Sequence, residues 1–312
     1  MDGPFAERTP PDLYLTEGRP ALPEVSPEEE AVTGRYAALS AVPSTLRIPL
    51  AARAFGDALF PQVAVGDAHA APMLAALGDD GRQWLNDRPS IYGVLARTRR
   101  FRERAAEFLA SHPAGHVVNL GCGLSHYFQW LENGQARMTD ADLPEALSIR
   151  RELLPAVGDR HQLRELDLTA SDWWDTLDLP AGHDAPPVFL FCEGVLMYLK
   201  PDAVQAVLKT FGECAPLGSS FAFDARCWLA AGRAKQHLSG KHTAAEIHWG
   251  PRRLAELTAP HPRLRLVGTH LVMDGYGFPY ALMGPTFRAI FGVPFYAVYV
   301  LRTQDENKWV YP

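Results

Sequence analysis

The sequence predicts an α/β protein with a mostly parallel, doubly wound sheet of seven strands. After His112, seven short apolar segments follow one another and alternate with helical segments. Strands that alternate with helices at this spacing pair in parallel, because each helix crosses the sheet and returns the chain to the same edge. Only a short connection, from about Met273 to Pro294, separates the last two strands. It favours an antiparallel last strand, joined in the manner of a hairpin, over a further helix crossover.

The individual elements follow from local patterns. The predicted strands are HVVNLGCG, ARMTDAD, RELDLTA, PPVFLFCEG, SSFAFDA, RLRLVGTHLV and FYAVYVLRTQ. The helical segments between them are HYFQWLEN, LPEALSIRRELL and KPDAVQAVLKTFGECA. PPVFLFCEG is almost continuously apolar, which is typical of a strand buried on both faces of a parallel sheet.

The chain before this alternating region predicts an arm and a set of helices. Residues 1–42 are rich in proline and glutamate and predict an extended arm. A helical pattern already begins within it at SPEEEAVTGRYAAL, where Ser26 can cap the helix. Residues 43–112 contain PSTLRIPLAARAFGDALF, DAHAAPMLAAL and IYGVLARTRRFRERAAEFLASH, and we expect them to form a helical lid on the substrate side. Residues 113–312 form the core, with a substrate-side insertion at about 225–260.

The composition excludes several classes of protein. Apolar residues make up 47% and charged residues 21% of the chain, and the net charge is −6. Without a dense basic stripe, nucleic acid is not expected as a partner. The sequence contains no apolar run of membrane-spanning length and no secretory signal, so we expect a cytoplasmic protein that does not bind membranes. Its four scattered cysteines form no metal-ligand pattern, and no metal is expected.

The first predicted strand ends in a glycine turn, VVNLGCGL. Gly121 and Gly123 would let the backbone approach a ligand at the carboxyl end of this strand. The third glycine of a dinucleotide-binding pattern is replaced by His126, which weakens a nicotinamide or flavin interpretation. The alternative is a plain strand-to-helix turn that needs glycine for its geometry alone.

Acidic residues follow the next three strands. Asp140 and Asp142 would face the same side of the second strand, and either could accept hydrogen bonds from ribose hydroxyls, with Asp142 preferred. Asp167 could accept a hydrogen bond from an adenine amine. Glu193 ends a buried apolar strand, where an unpaired carboxylate is costly. The three aspartates have a structural alternative, since Asp140, Asp142 and Asp167 could cap loops or helices, whereas for Glu193 we favour a ligand-facing role.

These motifs together resemble the class I S-adenosylmethionine-dependent methyltransferases. More narrowly, the chain resembles the leucine carboxyl methyltransferase superfamily, in its branch of tetracenomycin-type polyketide O-methyltransferases. The segments that carry the resemblance, from about Leu50 to Gly250, are LAARAF, LARTRRF, VVNLGCGL, DADLPEALSIRRELLP, FCEGVLMYL and IHWG. The resemblance implies a Rossmann-like fold, S-adenosylmethionine as the cofactor with S-adenosylhomocysteine as its product, and a small-molecule substrate. It leaves open a monomer or a homodimer.

The resemblance also implies roles for individual residues. Arg97 would hold the methionyl carboxylate, although on its own it would be taken for a surface charge. Asp142 would bind the ribose hydroxyls, and Glu193 would lie below the methionyl and sulfonium region. The implied cofactor-binding residues are Arg97, Gly121, Cys122, Gly123, Asp142, Leu143, Asp167, Leu168, Glu193 and Gly194.

One segment departs from the family pattern. Where the family has Asp-Thr-Arg, this chain has Ser125, His126 and Tyr127, so a charged pair beside the cofactor turn is lost. Neighbours could replace that pair, cofactor affinity could fall, or the chain could have moved away from ordinary methyl transfer. His126 could be a substrate-facing base or a histidine on the helix surface.

The predicted reaction is methyl transfer to an oxygen of a small molecule, such as a polyketide intermediate. A carboxylate acceptor needs no general base, whereas a phenol benefits from one and, with a histidine base, would react faster as the pH rises through about 6–7. Candidate catalytic residues are His126, His248 and Tyr198, and candidate substrate-binding residues are Tyr198, Arg226, His248 and Trp249. Two alternatives remain: a cyclisation or rearrangement without methyl transfer, and a non-catalytic scaffold.

Overall fold

We describe residues 41–232 and 246–305 of a computed structural model, with side chains from residue 46 onward. Most of the predicted arm, including the helix expected at Ser26, lies outside these ranges. So does the middle of the predicted substrate-side insertion, residues 233–245. The domain boundaries proposed from the sequence therefore stay predictions.

A single seven-stranded sheet organises the described chain, in the order β3-β2-β1-β4-β5-β7-β6. β1 to β5 pair in parallel, and β7 runs antiparallel to both β5 and β6. The order reverses beside β1, as in doubly wound folds, so the carboxyl ends of β1 and β4 flank the expected ligand crevice. The strands are β1 (His116–Leu120), β2 (Arg137–Asp142), β3 (His161–Glu165), β4 (Val188–Cys192), β5 (Ser220–Arg226), β6 (Leu264–Leu271) and β7 (Tyr296–Thr303).

The α-helices agree with most of the segments predicted from the sequence. HYFQWLEN gives only one helical turn, and the turn at Trp173 was not predicted as a helix. The helices are α1 (Ala41–Leu59), α2 (Ala70–Ala76), α3 (Arg88–Ser111), α4 (Phe128–Leu131), α5 (Pro144–Leu153), α6 (Trp173–Thr176), α7 (Pro201–Cys214) and α8 (Tyr280–Phe291).

Helices cover both faces of the sheet, which confirms the doubly wound prediction. On one face, Val117 of β1 packs in a core with Phe101 and Phe108 of α3. On the other face, Val118 packs in a second core with Trp174 of α6 and Phe211 of α7. Because alternate residues of a strand face opposite sides, continuously apolar strands such as β4 supply both cores.

The N-terminal helices pack on the turn after β1. A third core joins Leu50 of α1 and Leu74 of α2 to Leu124, next to the glycine turn, and to Ile149 of α5. The helical preface is therefore held against the carboxyl edge of the sheet, where a ligand of this fold class binds.

The end of the sheet confirms one part of its prediction and corrects another. β7 is antiparallel, as the short connection indicated. The connection is nevertheless not a simple hairpin, because it contains the helix α8. None of the residues of α8 is buried. The helix need not cross the sheet, since β7 pairs directly with β6. The internal Pro285 obscures the helix in the sequence.

Among the described helices, none combines the length and the apolar character needed to cross a bilayer.

Candidate cofactor and active site

The glycine turn after β1 needs glycine at both predicted positions. Gly121 and Gly123 have φ angles of +67° and +47°, in the region that favours glycine. A Cβ on Gly121 would lie 2.4 Å from Cγ2 of Val195, which follows β4. A Cβ on Gly123 would lie 2.8 Å from the side chain of Leu46 in α1. The turn is thus packed between the β4 loop and the first helix.

A buried polar group supports this turn from below. It consists of five residues that we call the Arg150 cluster: Asn119, Ser125, Asp140, Arg150 and His161. Nη1 of Arg150 donates to the carbonyl oxygens of Gly123, at 2.9 Å, and of Ser125, at 2.7 Å. Nη2 of Arg150 pairs with Asp140, and both side chains are fully buried. Arg150 therefore ties the turn to the end of β2.

The other members of the cluster complete the coordination of Asp140. Its carboxylate accepts a hydrogen bond from Nδ2 of Asn119 at 2.9 Å and lies 2.7 Å from Nε2 of His161. Nδ1 of His161 accepts from the backbone N–H of Val157 at 3.2 Å, so Nε2 carries the proton and donates to Asp140. Burial raises the pKa of Asp140, but Arg150 and His161 outweigh it and lower the pKa overall. Asp140 thus has a structural role in the buried cluster.

A second arginine holds the same turn from the N-terminal helices. Nη2 of Arg53 donates to the carbonyl oxygen of Leu124 at 3.1 Å, and its Nε pairs with Asp67 at 2.9 Å. The side chains of this pair are 3% and 0% exposed. Together Arg53 and Arg150 bring two buried ion pairs to the segment that departs from the family pattern. Neighbours therefore supply charge pairs around this turn.

Asp142 lies at the end of β2, above the Arg150 cluster. One carboxylate oxygen accepts from the backbone N–H of Gly123 at 2.7 Å, and the other from that of Leu143 at 2.8 Å. Burial raises its pKa, despite these two hydrogen bonds. Each oxygen retains a lone pair for a further donor. The sequence favoured Asp142 over Asp140 for the ribose, and in the structure Asp140 is fully buried whereas Asp142 is half-buried and can be reached by a further donor.

The predicted adenine-side residues occupy contrasting positions. Leu143 is 36% exposed beside Asp142, whereas Leu168 is buried. Asp167 is exposed, and its carboxylate accepts from the hydroxyl and the backbone N–H of Thr169, at 2.6 and 2.8 Å. These hydrogen bonds lower the pKa of Asp167. The contact fits the local turn that was the alternative interpretation, and the exposed carboxylate can still accept from a ligand.

A second buried polar group lies at the carboxyl ends of β4 and β5. We call it the Arg97 cluster, and it consists of Arg97, Thr98, Tyr127, Glu193, Asp224 and Tyr296. Nε of Arg97 donates to Glu193 at 3.0 Å, and its Nη1 donates to Asp224 at 3.2 Å. With 12% of its side chain exposed, Arg97 is not an ordinary surface charge. Burial lowers its pKa, but Tyr296, Asp224 and Glu193 raise it well above the usual value.

Both carboxylates of the Arg97 cluster accept three hydrogen bonds. Glu193 also accepts from the hydroxyls of Thr98, at 2.8 Å, and Tyr127, at 2.6 Å. Asp224 also accepts from the hydroxyl of Tyr296 and from the backbone N–H after Glu193, both at 2.6 Å. Tyr127 occupies the position of the family's arginine and contacts Glu193 through a neutral hydroxyl.

Several members of the Arg97 cluster were not predicted from the sequence. Asp224 lies at the end of the predicted strand SSFAFDA, so the signal that identified Glu193, an acid ending an apolar strand, could also have identified it. Thr98 and Tyr296 carried no comparable signal. Gly194, which was predicted, has a φ of +68°, and a Cβ there would lie 2.9 Å from Nη2 of Arg97. Cys122 is buried within the glycine turn, and burial raises the pKa of its thiol.

The predicted substrate-side residues do not form one group. Tyr198 is 40% exposed after β4, and the backbone N–H of His248 donates to the carbonyl of the preceding Met197 at 2.9 Å. Trp249 is instead buried and packs against Phe223 in the core. Its position indicates a packing role.

Arg226 and His126 differ in their access to the site. The guanidinium of Arg226 lies over the ring of Tyr296, 5.4 Å from its centroid, and has no ion-pair partner among the described residues. His126 is only 4% exposed, and its Nδ1 meets no hydrogen-bond partner in the described part of the chain. Burial and Arg150 lower the pKa of His126 to about 4. It is therefore not a histidine on the helix surface.

Comparison with known proteins identifies the family. The sequence model of the leucine carboxyl methyltransferase family matches residues 35–212, more than half of the chain. The chain belongs to the leucine carboxyl methyltransferase family. This leucine carboxyl methyltransferase family member is 29% identical, over 242 residues, to the tetracenomycin polyketide synthesis O-methyltransferase TcmP of Streptomyces glaucescens, covering 77% of this chain and 87% of that protein.

Further relatives agree on the cofactor and the fold. A candidate S-adenosyl-L-methionine-dependent methyltransferase of Mycolicibacterium vanbaalenii is 29% identical over 212 residues, which cover 59% of this chain and 67% of that protein. A solved structure of a candidate methyltransferase from Thermobifida fusca aligns with a TM-score of 0.51 and 16% identity, covering 75% of this chain and 93% of that chain. This leucine carboxyl methyltransferase family member is an S-adenosylmethionine-dependent methyltransferase with a Rossmann-like fold.

Proposed function

We propose that this enzyme transfers the methyl group of S-adenosylmethionine to an oxygen of a small organic acid or phenol, such as a polyketide or another natural-product intermediate. The similarity to a polyketide O-methyltransferase supports this class of substrate. The observation that carries the proposal is the Arg97 cluster, which sets a partly exposed guanidinium and two carboxylates at the carboxyl edge of the sheet beside the glycine turn.

The residues at this edge fit the cofactor. Asp142 can accept from two ribose hydroxyls while keeping its backbone hydrogen bonds, and the exposed Leu143 offers an apolar surface for adenine. Nη2 of Arg97 makes no hydrogen bond within the described residues and can bind the methionyl carboxylate. Gly121 and Gly123 keep the turn free of side chains. Glu193 can lie below the positively charged end of the ligand.

Methyl transfer depends mainly on the relative position of cofactor and acceptor and on the charges around them. The cofactor supplies an electrophilic methyl group on a sulfonium, and transfer to an oxygen leaves the neutral thioether of S-adenosylhomocysteine. The Arg97 cluster would hold one end of the cofactor and Asp142 the other, and this positioning would fix the methyl group relative to a bound acceptor. A carboxylate acceptor is already ionised at pH 7 and takes no proton from the protein.

Arg226 is the strongest candidate for holding the acceptor. It lies two residues beyond Asp224 on β5, so both side chains face the same side of the sheet, and Arg226 is closer to the carboxyl edge. Its guanidinium is half-buried over Tyr296, a member of the Arg97 cluster. An unpaired guanidinium favours an anion, and a carboxylate matches its fork of donors.

His126 is a weaker candidate for a general base than the sequence indicated. With its pKa lowered to about 4, the imidazole is neutral at physiological pH and has little affinity for a proton. Tyr198 and the exposed His248 remain candidates for contact with the acceptor.

Incubation with methyl-labelled cofactor and matched acceptors tests the proposal. Aromatic carboxylic acids, the corresponding phenols and their methylated forms should be compared, with S-adenosylhomocysteine measured in parallel. We expect label in an ester or an ether and one S-adenosylhomocysteine per product. Conversion of an acceptor without label and without S-adenosylhomocysteine would contradict methyl transfer and favour a cofactor-guided rearrangement.

A further inference from the structure

The Arg97 cluster does not balance its charges. Two carboxylates, Glu193 and Asp224, face a single guanidinium, that of Arg97. The two carboxylates accept six hydrogen bonds and donate none. The donors are two N–H groups of Arg97, three hydroxyls and one backbone N–H. Two ionised carboxylates satisfy this arrangement.

The remaining members add no charge. Burial and Glu193 raise the pKa of Tyr127 well above its usual value. Burial also raises the pKa of Tyr296, despite the opposing effect of Arg97. Both hydroxyls therefore keep their protons at any physiological pH. The cluster carries a surplus of one negative charge beside the glycine turn.

Neighbouring charges do not cancel this surplus inside the cluster. Arg53, which lies towards Tyr127, is paired with Asp67 at 2.9 Å. Arg226 is half-buried over the ring of Tyr296, 5.4 Å from its centroid, and makes no ion pair with Glu193 or Asp224, so it lies outside the hydrogen-bonded cluster. Asp142 ends β2, which β1 and β4 separate from β5, so this carboxylate lies away from the Arg97 cluster.

We propose that the surplus charge of the Arg97 cluster makes the enzyme bind S-adenosylmethionine more tightly than S-adenosylhomocysteine. The two forms of the cofactor share the adenosine and the amino acid, and they differ by the methyl group and one positive charge on sulfur. The negative cluster complements only the methylated form. Loss of the methyl group then weakens binding and favours release of the product. This inference rests on the proposed position of the methionyl end at Arg97.

Affinities measured by calorimetry test the inference directly. Wild-type enzyme should be titrated with S-adenosylmethionine, with S-adenosylhomocysteine and with sinefungin, which carries an amine in place of the methylsulfonium. We expect both cationic ligands to bind about tenfold more tightly than S-adenosylhomocysteine, a modest value for unit charges in a partly buried site.

Two variants remove the charge while keeping the shape. Glu193→Gln and Asp224→Asn should each lower the affinity ratio of S-adenosylmethionine to S-adenosylhomocysteine by about tenfold. A general loss of structure would weaken both ligands alike and leave the ratio unchanged. Asp142→Asn is the matched control, because it should weaken both ligands equally. Far-UV circular dichroism verifies the fold of each variant.

Two results would overturn the inference while leaving the cofactor site intact. One is wild-type enzyme that binds S-adenosylhomocysteine at least as tightly as the two cations, a measurement that needs no variant. The other is a ratio that stays the same in Glu193→Gln and Asp224→Asn. Failure of wild-type enzyme to bind any of the three ligands would instead remove the proposed cofactor site, and this inference with it.

Discussion

The Arg150 and Arg97 clusters are two buried arginine sites at the same edge of the sheet, but they are built differently. Arg150 and Asp140 are each 0% exposed, and their charges cancel. Arg150 also binds two carbonyl oxygens of the glycine turn. Arg97 remains 12% exposed and faces two carboxylates. Each arginine has one nitrogen without a partner in the described residues, but that of Arg150, Nε, is buried, whereas Nη2 of Arg97 belongs to a partly exposed side chain.

The difference separates support of the fold from binding of a ligand. A fully buried pair whose charges cancel is out of reach of a ligand, and breaking it leaves an uncompensated charge. A cluster with a surplus charge and a free donor is complete only when a ligand of the right charge is present. Changes in the Arg150 cluster should therefore alter stability first, and changes in the Arg97 cluster should alter binding first.

The largest effect is expected from Arg150→Met. It leaves Asp140 buried without its cation and releases the carbonyls of Gly123 and Ser125, so the free energy of unfolding should fall by about 3–5 kcal/mol. Urea unfolding measures this loss. The control is Arg151→Met on the same helix, where an exposed pair with Glu165 at 2.9 Å is broken and we expect a change below about 1 kcal/mol. Equal losses in the two variants would contradict the structural role of Arg150.

The sequence predicted the sheet because strand and helix patterns are local. That Gly121, Gly123 and Glu193 lie at one edge could also be predicted, since they follow strands whose carboxyl ends meet there. Asp142 was preferred to Asp140 without excluding it, because alternate residues share a face and the ion pair of Asp140 with Arg150 is a contact that the strand pattern does not show.

The remaining members of the site depend on contacts between distant parts of the chain. Arg97 and Tyr296 are 199 residues apart, and no periodicity relates them. His126 is buried by His69 of the N-terminal region and by His161, so its exposure could not be predicted from its own helix. The helix α8 was missed because a proline lies within it.

The second effect concerns His126, whose ring lies beside the Arg150 cluster. Burial lowers its pKa to about 4, whereas an unfolded histidine titrates near 6.5. Between pH 4 and 6.5 the unfolded chain binds more protons at this histidine than the folded chain does. The contribution of His126 to the free energy of unfolding therefore has its full value above pH 6.5 and falls as the pH is lowered towards 4. The loss for one such group is up to about 3 kcal/mol.

Urea unfolding between pH 4.5 and 7.5 measures this slope. His126→Gln should reduce it but not abolish it, because burial also lowers the pKa of His116 to about 4. His183→Gln, at an exposed histidine, is the control for replacing a histidine outside this region. An undiminished slope in His126→Gln would show that the imidazole is accessible to protons in the folded state, which would restore it as a candidate base.

The third effect is on binding and should be found at Arg97. Arg97→Lys keeps the charge, but one ammonium cannot replace a planar fork that contacts Glu193, Asp224 and the ligand, so we expect S-adenosylmethionine to bind about tenfold more weakly, a loss of about 1.4 kcal/mol. Calorimetric titration measures it. Arg100→Lys on the same helix, where Arg100 is partly exposed and paired with Glu103, is the control. Unchanged affinity in Arg97→Lys would assign Arg97 to the fold, together with Arg150.

The smallest effect is expected at Asp167, which lies outside both clusters. Its carboxylate is exposed and bonded only to Thr169 among the described residues, so Asp167→Ala should change the free energy of unfolding by less than about 0.5 kcal/mol. If Asp167 accepts from the adenine amine, the variant should bind S-adenosylhomocysteine about fivefold more weakly, the value of one partly exposed hydrogen bond. S-inosylhomocysteine lacks that amine, so wild-type enzyme and the variant should bind it equally. If wild-type enzyme and Asp167→Ala bind S-adenosylhomocysteine equally and S-inosylhomocysteine equally, Asp167 stabilises only its local turn. Leu143 would then be the residue that contacts adenine.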